Sequence, residues 1–111
     1  MKEADLSRAI QVALSARGHR VFRNNVGLLF DARGQAVRYG LGTGSSDLIG
    51  LAKGGRFVSL EVKLPGKKPT KQQQLWLQMV LDMGGIAGVA RSVEDAVALV
   101  EEPHGATIPT K

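Results

Sequence analysis

Residues 56–63, Arg-Phe-Val-Ser-Leu-Glu-Val-Lys, constrain the fold more than any other stretch. Val58, Leu60 and Val62 alternate with Ser59, Glu61 and Lys63, the period-two pattern of a strand with one apolar face. Lys53-Gly54-Gly55 precedes the strand and Asp47-Leu48-Ile49-Gly50-Leu51 precedes that turn, which together predict an antiparallel hairpin. The 56–63 strand is the most β-prone segment of the chain and lies between two helical patterns, so it is read as central. Central strands seldom give a whole face to water, and the polar face therefore needs partners.

The rest of the chain supplies a cover for such a sheet. Leu6, Ile10, Ala13 and Leu14 recur at helical spacing over residues 3–17, with Gly18 as a stop. Residues 19–26 read as a strand and 28–39 as a hairpin or long loop turning near 32–34. Gly40-Leu41-Gly42-Thr43-Gly44-Ser45-Ser46 is a loop. Two prolines break the chain after Lys63, and Thr70 with Gln73 forms a capping box for a helix to about Met83, whose apolar stripe is read as Trp76, Met79, Val80 and Met83. A strand over 86–91 and a second capped helix from Ser92 to about Glu102 follow. The order α, β, β, β, α, β, α describes an α/β protein, a mixed sheet covered by helices, with one domain over residues 1–102. Residues 103–111 lack an apolar period and read as a frayed, disordered tail.

The hairpin register decides where Asp47 points. A two-residue Gly54-Gly55 turn sets Asp47 opposite Val62 on the core face, where an ionised carboxylate is costly. A three-residue turn over 53–55 pairs Ala52 with Arg56 and sets Asp47 opposite Glu61. Cβ atoms of directly paired residues lie ~4.5–5.5 Å apart, close enough for two carboxylates to share a divalent cation. The three-residue turn is the reading adopted. Without a cation the two carboxylates repel and one tends to take up a proton. Oxygen ligands suit magnesium or manganese.

Asp47, Glu61 and Lys63 in this order and spacing resemble the PD-(D/E)XK nuclease signature. Glu3 on the first helix, residues 44–50, Leu60-Glu61-Val62-Lys63, Thr70-Lys71-Gln72-Gln73, Trp76-Leu77 and Gly84-Gly85 narrow the resemblance to the VRR-NUC branch, over about residues 3–100. Ser46 stands where the superfamily signature has proline, a position that shapes the turn. The resemblance implies a restriction-endonuclease-like αβββαβ core. It implies Asp47, Glu61 and the Val62 carbonyl as metal ligands for Mg2+ or Mn2+, with Glu3 completing the site through bound water. It further implies that Lys63 positions or polarises the attacking water and that Gln73 steadies the site. Stand-alone members of the family are small, often from phages or bacteria, and tend to form homodimers that cut branched DNA such as four-way junctions.

Simpler roles stand beside these. Glu3 suits a frayed helix start favoured by the dipole, and Gln73 suits the far half of a capping box. His19 reads as an exposed residue at the start of a strand, and Trp76 and the methionines as core. Gly40-x-Gly42-x-Gly44 is not a phosphate loop, since it lacks the Gly-Lys-Ser/Thr ending and precedes a strand.

Charge and composition narrow the partner. The chain carries a net +5, and the excess lies between residues 17 and 71, with eleven basic against three acidic side chains. Lys53, Arg56, Lys63, Lys67, Lys68 and Lys71 surround Glu61, and Arg17, Arg20, Arg23, Arg33 and Arg38 lie upstream. Such a surface holds phosphates without reading sequence. Five aromatics, Phe22, Phe30, Tyr39, Phe57 and Trp76, form no stacking platform, which favours duplex or branched DNA over single strands. The alternative class is a non-catalytic basic DNA-binding module that retains the fold; a sequence-specific restriction-type nuclease needs recognition elements that 111 residues hardly accommodate. The absence of cysteine excludes thiol catalysis and cysteine-ligated zinc and suits a reducing compartment. With no long apolar run and an acidic N-terminus, a cytoplasmic protein without membrane partners is expected.

Overall fold

The computed structural model describes residues 1–102; the reading of residues 103–111 as a tail lies outside them. The elements are α1 (Glu3–Ala16), β1 (Arg20–Arg23), β2 (Gly27–Phe30), β3 (Ala36–Tyr39), β4 (Leu48–Leu51), β5 (Phe57–Val62), α2 (Lys71–Asp82), β6 (Ile86–Ala90) and α3 (Val93–Glu101). Four strands form a mixed sheet in the order β1-β4-β5-β6, antiparallel except for the parallel β5–β6 pair, while β2 and β3 pair only with each other. This is the mixed α/β fold the order of elements predicts, compatible with a restriction-endonuclease-like core. No described helix is long and apolar enough to cross a membrane.

The alternation in β5 separates two cores. Val58, Leu60 and Val62 pack with Leu48 and with Leu6, Ile10 and Leu14 of α1 and Ala96 and Val100 of α3. On the opposite face Leu77 and Val80 of α2 meet Ala87 of β6. A fully buried Leu or Val contributes roughly 1.5–3 kcal/mol, and the larger cluster therefore fixes α1 against the sheet. Ser59 and Glu61, on the polar face of β5, are 0% and 2% exposed because α2 covers them. The interior placement of that strand answers the central-strand reading.

Four local readings need correction. The 19–26 strand shrinks to Arg20–Arg23: Asn24 still donates its amide to the Asp47 carbonyl, but beyond it the chain that would continue the pairing is the glycine-rich loop, to which its side chain bonds. In α2 the buried positions are Leu77 and Val80, with Trp76 half-buried; Met79 and Met83 are 42% and 81% exposed, as is Met1 at 85%. The helix thus turns its 77/80 side to the sheet, since Trp76 leans over Ser59 instead of inserting between strands. His19 is buried, not exposed: its Nδ1 accepts from the Lys53 amide at 2.9 Å and its Nε2 lies 2.9 Å from Glu101. Arg17 joins it on Glu101, and the two bonds hold that carboxyl near 2, below the usual range. The cluster ties the α1–β1 and β4–β5 connections to the end of α3.

The fourth concerns residues 28–39. They do form a hairpin, turned by the Asp31 carboxylate, which accepts from the Arg33 and Gln35 amides at 2.8 and 2.9 Å. Yet it is a sheet of its own, and none of its residues is buried: Leu28, Leu29, Phe30, Val37 and Tyr39 are 43–68% exposed. Adjacent Leu28 and Leu29 point to opposite faces, so neither face is the polar one a solvated ribbon normally has.

Gly50 in β4 lets the edge strand approach. A Cβ there meets the Arg20 carbonyl oxygen at 2.0 Å and the Val21 Cα at 2.7 Å, both backbone atoms that cannot rotate away. Gly50→Ala is predicted to destabilise the protein by about 3 kcal/mol and to lower Tm by more than about 10 °C, read by thermal and urea denaturation.

Candidate active site

The β4–β5 turn determines the site. Ala52 donates to the Arg56 carbonyl at 2.9 Å and Gly55 to the Ala52 carbonyl at 2.8 Å, closing a turn over 53–55. Leu48 pairs with Leu60 and Leu51 with Phe57, and continuing that register one step sets Asp47 beside Glu61. The three-residue reading of the turn is therefore the one found. Asp47 is held from both sides: its Oδ2 accepts from the Val62 amide at 2.9 Å, and its carbonyl accepts from Asn24 N–H at 2.8 Å. Asn24 also donates to Ser45 Oγ and to the Ser46 carbonyl, at 2.8 and 2.9 Å. Sequence reasoning missed this residue, which fastens the end of the glycine-rich loop to β1. The same loop rests on α2: a Cβ on Gly44 falls 2.7 Å from the Gln72 carbonyl oxygen.

Glu61 is the electrostatic anomaly. It is 2% exposed, its Oε1 accepts from Gln73 Nε2 at 3.2 Å, and its buried Oε2 has no partner. Burial and the adjoining Asp47 carboxylate push its carboxyl up to about 9, against the opposing pull of the Lys63 ammonium; Glu3 adds a smaller push. Buried polar atoms are almost always satisfied, and a carboxyl oxygen left without a partner beside a second carboxylate is an arrangement that a divalent cation would satisfy. Among the described residues no three His, Cys, Asp or Glu side chains converge as a complete cage. One or two carboxylates are what magnesium requires, since water and phosphate fill its remaining positions.

The other expected residues fall into two groups joined by Asp47. Glu3 and Val62 line, with Asp47, a cleft of about 260 Å³ between α1 and the ends of β1 and β4. Glu61, Gln73 and Lys63 are not part of that wall; Gln73 reaches Glu61 from α2, and Lys63 follows the strand half-buried. Gln73 is the far half of the capping box, its Oε1 accepting from the Thr70 amide at 2.8 Å, and its Nε2 also donates to Glu61. Trp76 Nε1 donates to Ser59 Oγ at 2.9 Å, sealing the floor beside Glu61. Ser46 is fully buried and its Oγ has no partner. Arg8 and Arg23 also line the cleft, and the amphipathic pattern of α1 gave no hint of Arg8, which lies outside the basic segment.

Comparison with known proteins adds one finding. The model of the VRR-NUC domain family matches residues 9–94, and a search of curated proteins finds no match.

The state of Glu61 has a consequence for stability without metal. Folded, it keeps its proton up to about pH 9; unfolded, it loses it near the ordinary value of 4.5, so stability falls as pH rises between those limits. In chelator, Glu61→Gln should match wild type near pH 5 and exceed it at pH 8 by at least about 2 kcal/mol, since each pH unit is worth up to ~1.4 kcal/mol. Urea denaturation at the two pH values checks this.

Proposed function

Because the chain belongs to the VRR-NUC domain family, which carries nuclease-type DNA processing, we propose that it is a divalent-metal-dependent DNA endonuclease selective for branched DNA such as four-way junctions. The observation that carries the reading is Glu61, buried beside Asp47 with an unpaired oxygen. A fold that only bound DNA would gain stability by replacing that carboxylate with an amide, so its presence favours a site that holds a cation.

Asp47, Glu61 and the Val62 carbonyl would hold Mg2+ or Mn2+, with Glu3 completing the site through bound water; when bound, the ion would supply Lewis-acid activation of the phosphodiester and its water. The protein's own groups do the rest. Val62 N–H fixes the Asp47 carboxylate, and Gln73 fixes Glu61. Lys63, two residues after Glu61, orients the attacking water and offsets charge growing on the phosphate oxygens. The water oxygen bonds to phosphorus as its proton passes to solvent, one P–O ester bond breaks, and the departing oxygen takes up a proton from solvent. Lys67, Lys68 and Lys71 are exposed and their ammonium groups meet no acceptor among the described residues, so they are available to backbone phosphates. Arg17, Arg20 and Arg56 are not available in that way, being bonded to Glu101, to the Ser15 and His19 carbonyls, and to the Gly84 and Gly85 carbonyls.

The proposal includes a homodimer in the cytoplasm. Two-fold symmetry offers two sites to the two strands of a symmetric junction, and the apolar β2–β3 hairpin, uncovered on both faces, is suited to pairing with a second copy. The lack of cysteine fits a reducing compartment.

Labelled duplex, flap and four-way-junction DNA, incubated with magnesium or manganese, test the activity. Wild type should cut the junction fastest, and Lys63→Ala and Glu61→Ala should each lose at least about 100-fold. Tight binding without cutting in either metal would replace this reading with the binding module. Sedimentation should give a dimer for wild type and a monomer for Phe30→Glu; a monomeric wild type removes the dimer from the proposal.

A further inference from the structure

The cleft that holds Asp47 has a wall of opposite sign. Glu3, Ser7 and Arg8 enter it from one side of α1, and Arg23 enters from the end of β1. Both arginines line the cleft with Glu3 and Asp47, yet neither forms an ion pair: among the described residues the only ion pairs are those of Glu101 with Arg17 and His19. Nor does either donate a hydrogen bond to any described group, whereas Arg17, Arg20, Arg56 and Arg91 all do. Each arginine therefore presents all five N–H donors unspent. A carboxylate facing a nearby guanidinium ordinarily pairs with it; two arginines left apart from Glu3 and Asp47 in a space of about 260 Å³ leave room for an anion of their own. A tetrahedral oxyanion suits a planar donor fork that grips two oxygens at once.

We propose that Arg8 and Arg23 form a phosphate seat, which holds the phosphodiester neighbouring the one hydrolysed at Asp47 and Glu61. The inference rests on the nuclease reading and deepens it. The seat sets the register of the cut strand. With one phosphate gripped on the α1–β1 side, the next along the backbone is brought to the carboxylates at the β4–β5 end. Lysines on the loop before α2 hold charge without geometry, while the two forks in the cleft supply geometry.

Steady-state cleavage of a labelled duplex in magnesium tests the seat, using Arg8→Gln, Arg23→Gln and the double variant. Both side chains are exposed, and unchanged Tm values verify folding. KM should rise about 10-fold in each single variant with kcat within about threefold, and the slope of log KM against log salt should fall by about one per arginine removed. Arg8→Lys should restore the salt slope without restoring KM, because a point charge replaces a fork. A substrate series with one phosphate at a time replaced by neutral methylphosphonate locates the contact. One replacement next to the cut bond should raise the wild-type KM about 10-fold and leave the double variant unaffected. Unchanged KM and salt slope in both variants, or a methylphosphonate penalty equal in wild type and double variant, would overturn the seat. If wild type cuts in neither magnesium nor manganese, the nuclease reading fails by itself. The same oligonucleotides then test the seat in a binding titration, where loss of the penalty in the double variant supports it and a full penalty overturns it.

Discussion

Three residues in a turn set the chemistry of this protein. Closing the β4–β5 hairpin over 53–55 puts Asp47 in line with Glu61, and a turn shorter by one residue would send the same carboxylate into the apolar face of the sheet. Everything at the site is referred to that alignment. The Val62 amide can bond Asp47 only because strand and loop end side by side, and Asn24 can clamp the loop only because β1 stops one residue earlier.

The same alignment costs stability. Two carboxyl groups side by side, one of them buried and holding its proton, is an arrangement that a chain selected for stability alone would avoid. The surroundings temper it without removing it. Gln73 satisfies one oxygen of Glu61, Lys63 opposes the charge, and the other oxygen is left without a partner. The two cores on either side of β5 supply the rigidity that holds this strained pair in place, since Val58, Leu60 and Val62 anchor the strand from beneath while Leu77 and Val80 hold α2 over it. Apolar packing on one face of the strand thus supports electrostatic tension on the other.

Much of this was legible in the sequence, because it rests on local rules. The alternation in 56–63 located the central strand, the Lys-Gly-Gly turn gave the register, and Thr70 with Gln73 marked the start of α2. The misreadings share a different cause. The burial of His19 depends on Glu101, eighty-two residues away, and on the Lys53 amide, neither of which its neighbours reveal. The methionines of α2 follow helical spacing as well as Leu77 does; which side of the helix meets the sheet is set by the bond from Trp76 to Ser59 and by the packing on β6. Asn24 drew no reading at all, because the loop it clamps lies more than twenty residues away in sequence. Arg8 drew no reading from the sequence, and only the fold places it beside Asp47 in the lining of one cleft. The adjacency of Asp47 and Glu61 was legible because their spacing is a hairpin property; the groups around them come from other elements.

The parallel pairing of β5 with β6 bears on when the site comes into being. Glu61 lies opposite Val89, and the Lys63 amide bonds the Ala90 carbonyl, so the strand that bears the carboxylate gains its second neighbour from residues made nearly thirty positions later. As the chain leaves the ribosome, Asp47, Glu61 and Lys63 are all synthesised before the sheet that aligns them can close. A nascent or truncated chain that ends before β6 has all three side chains but lacks the strand that flanks Glu61 on its second side. On the proposed reading, hydrolytic capacity would arrive only with completion of the domain.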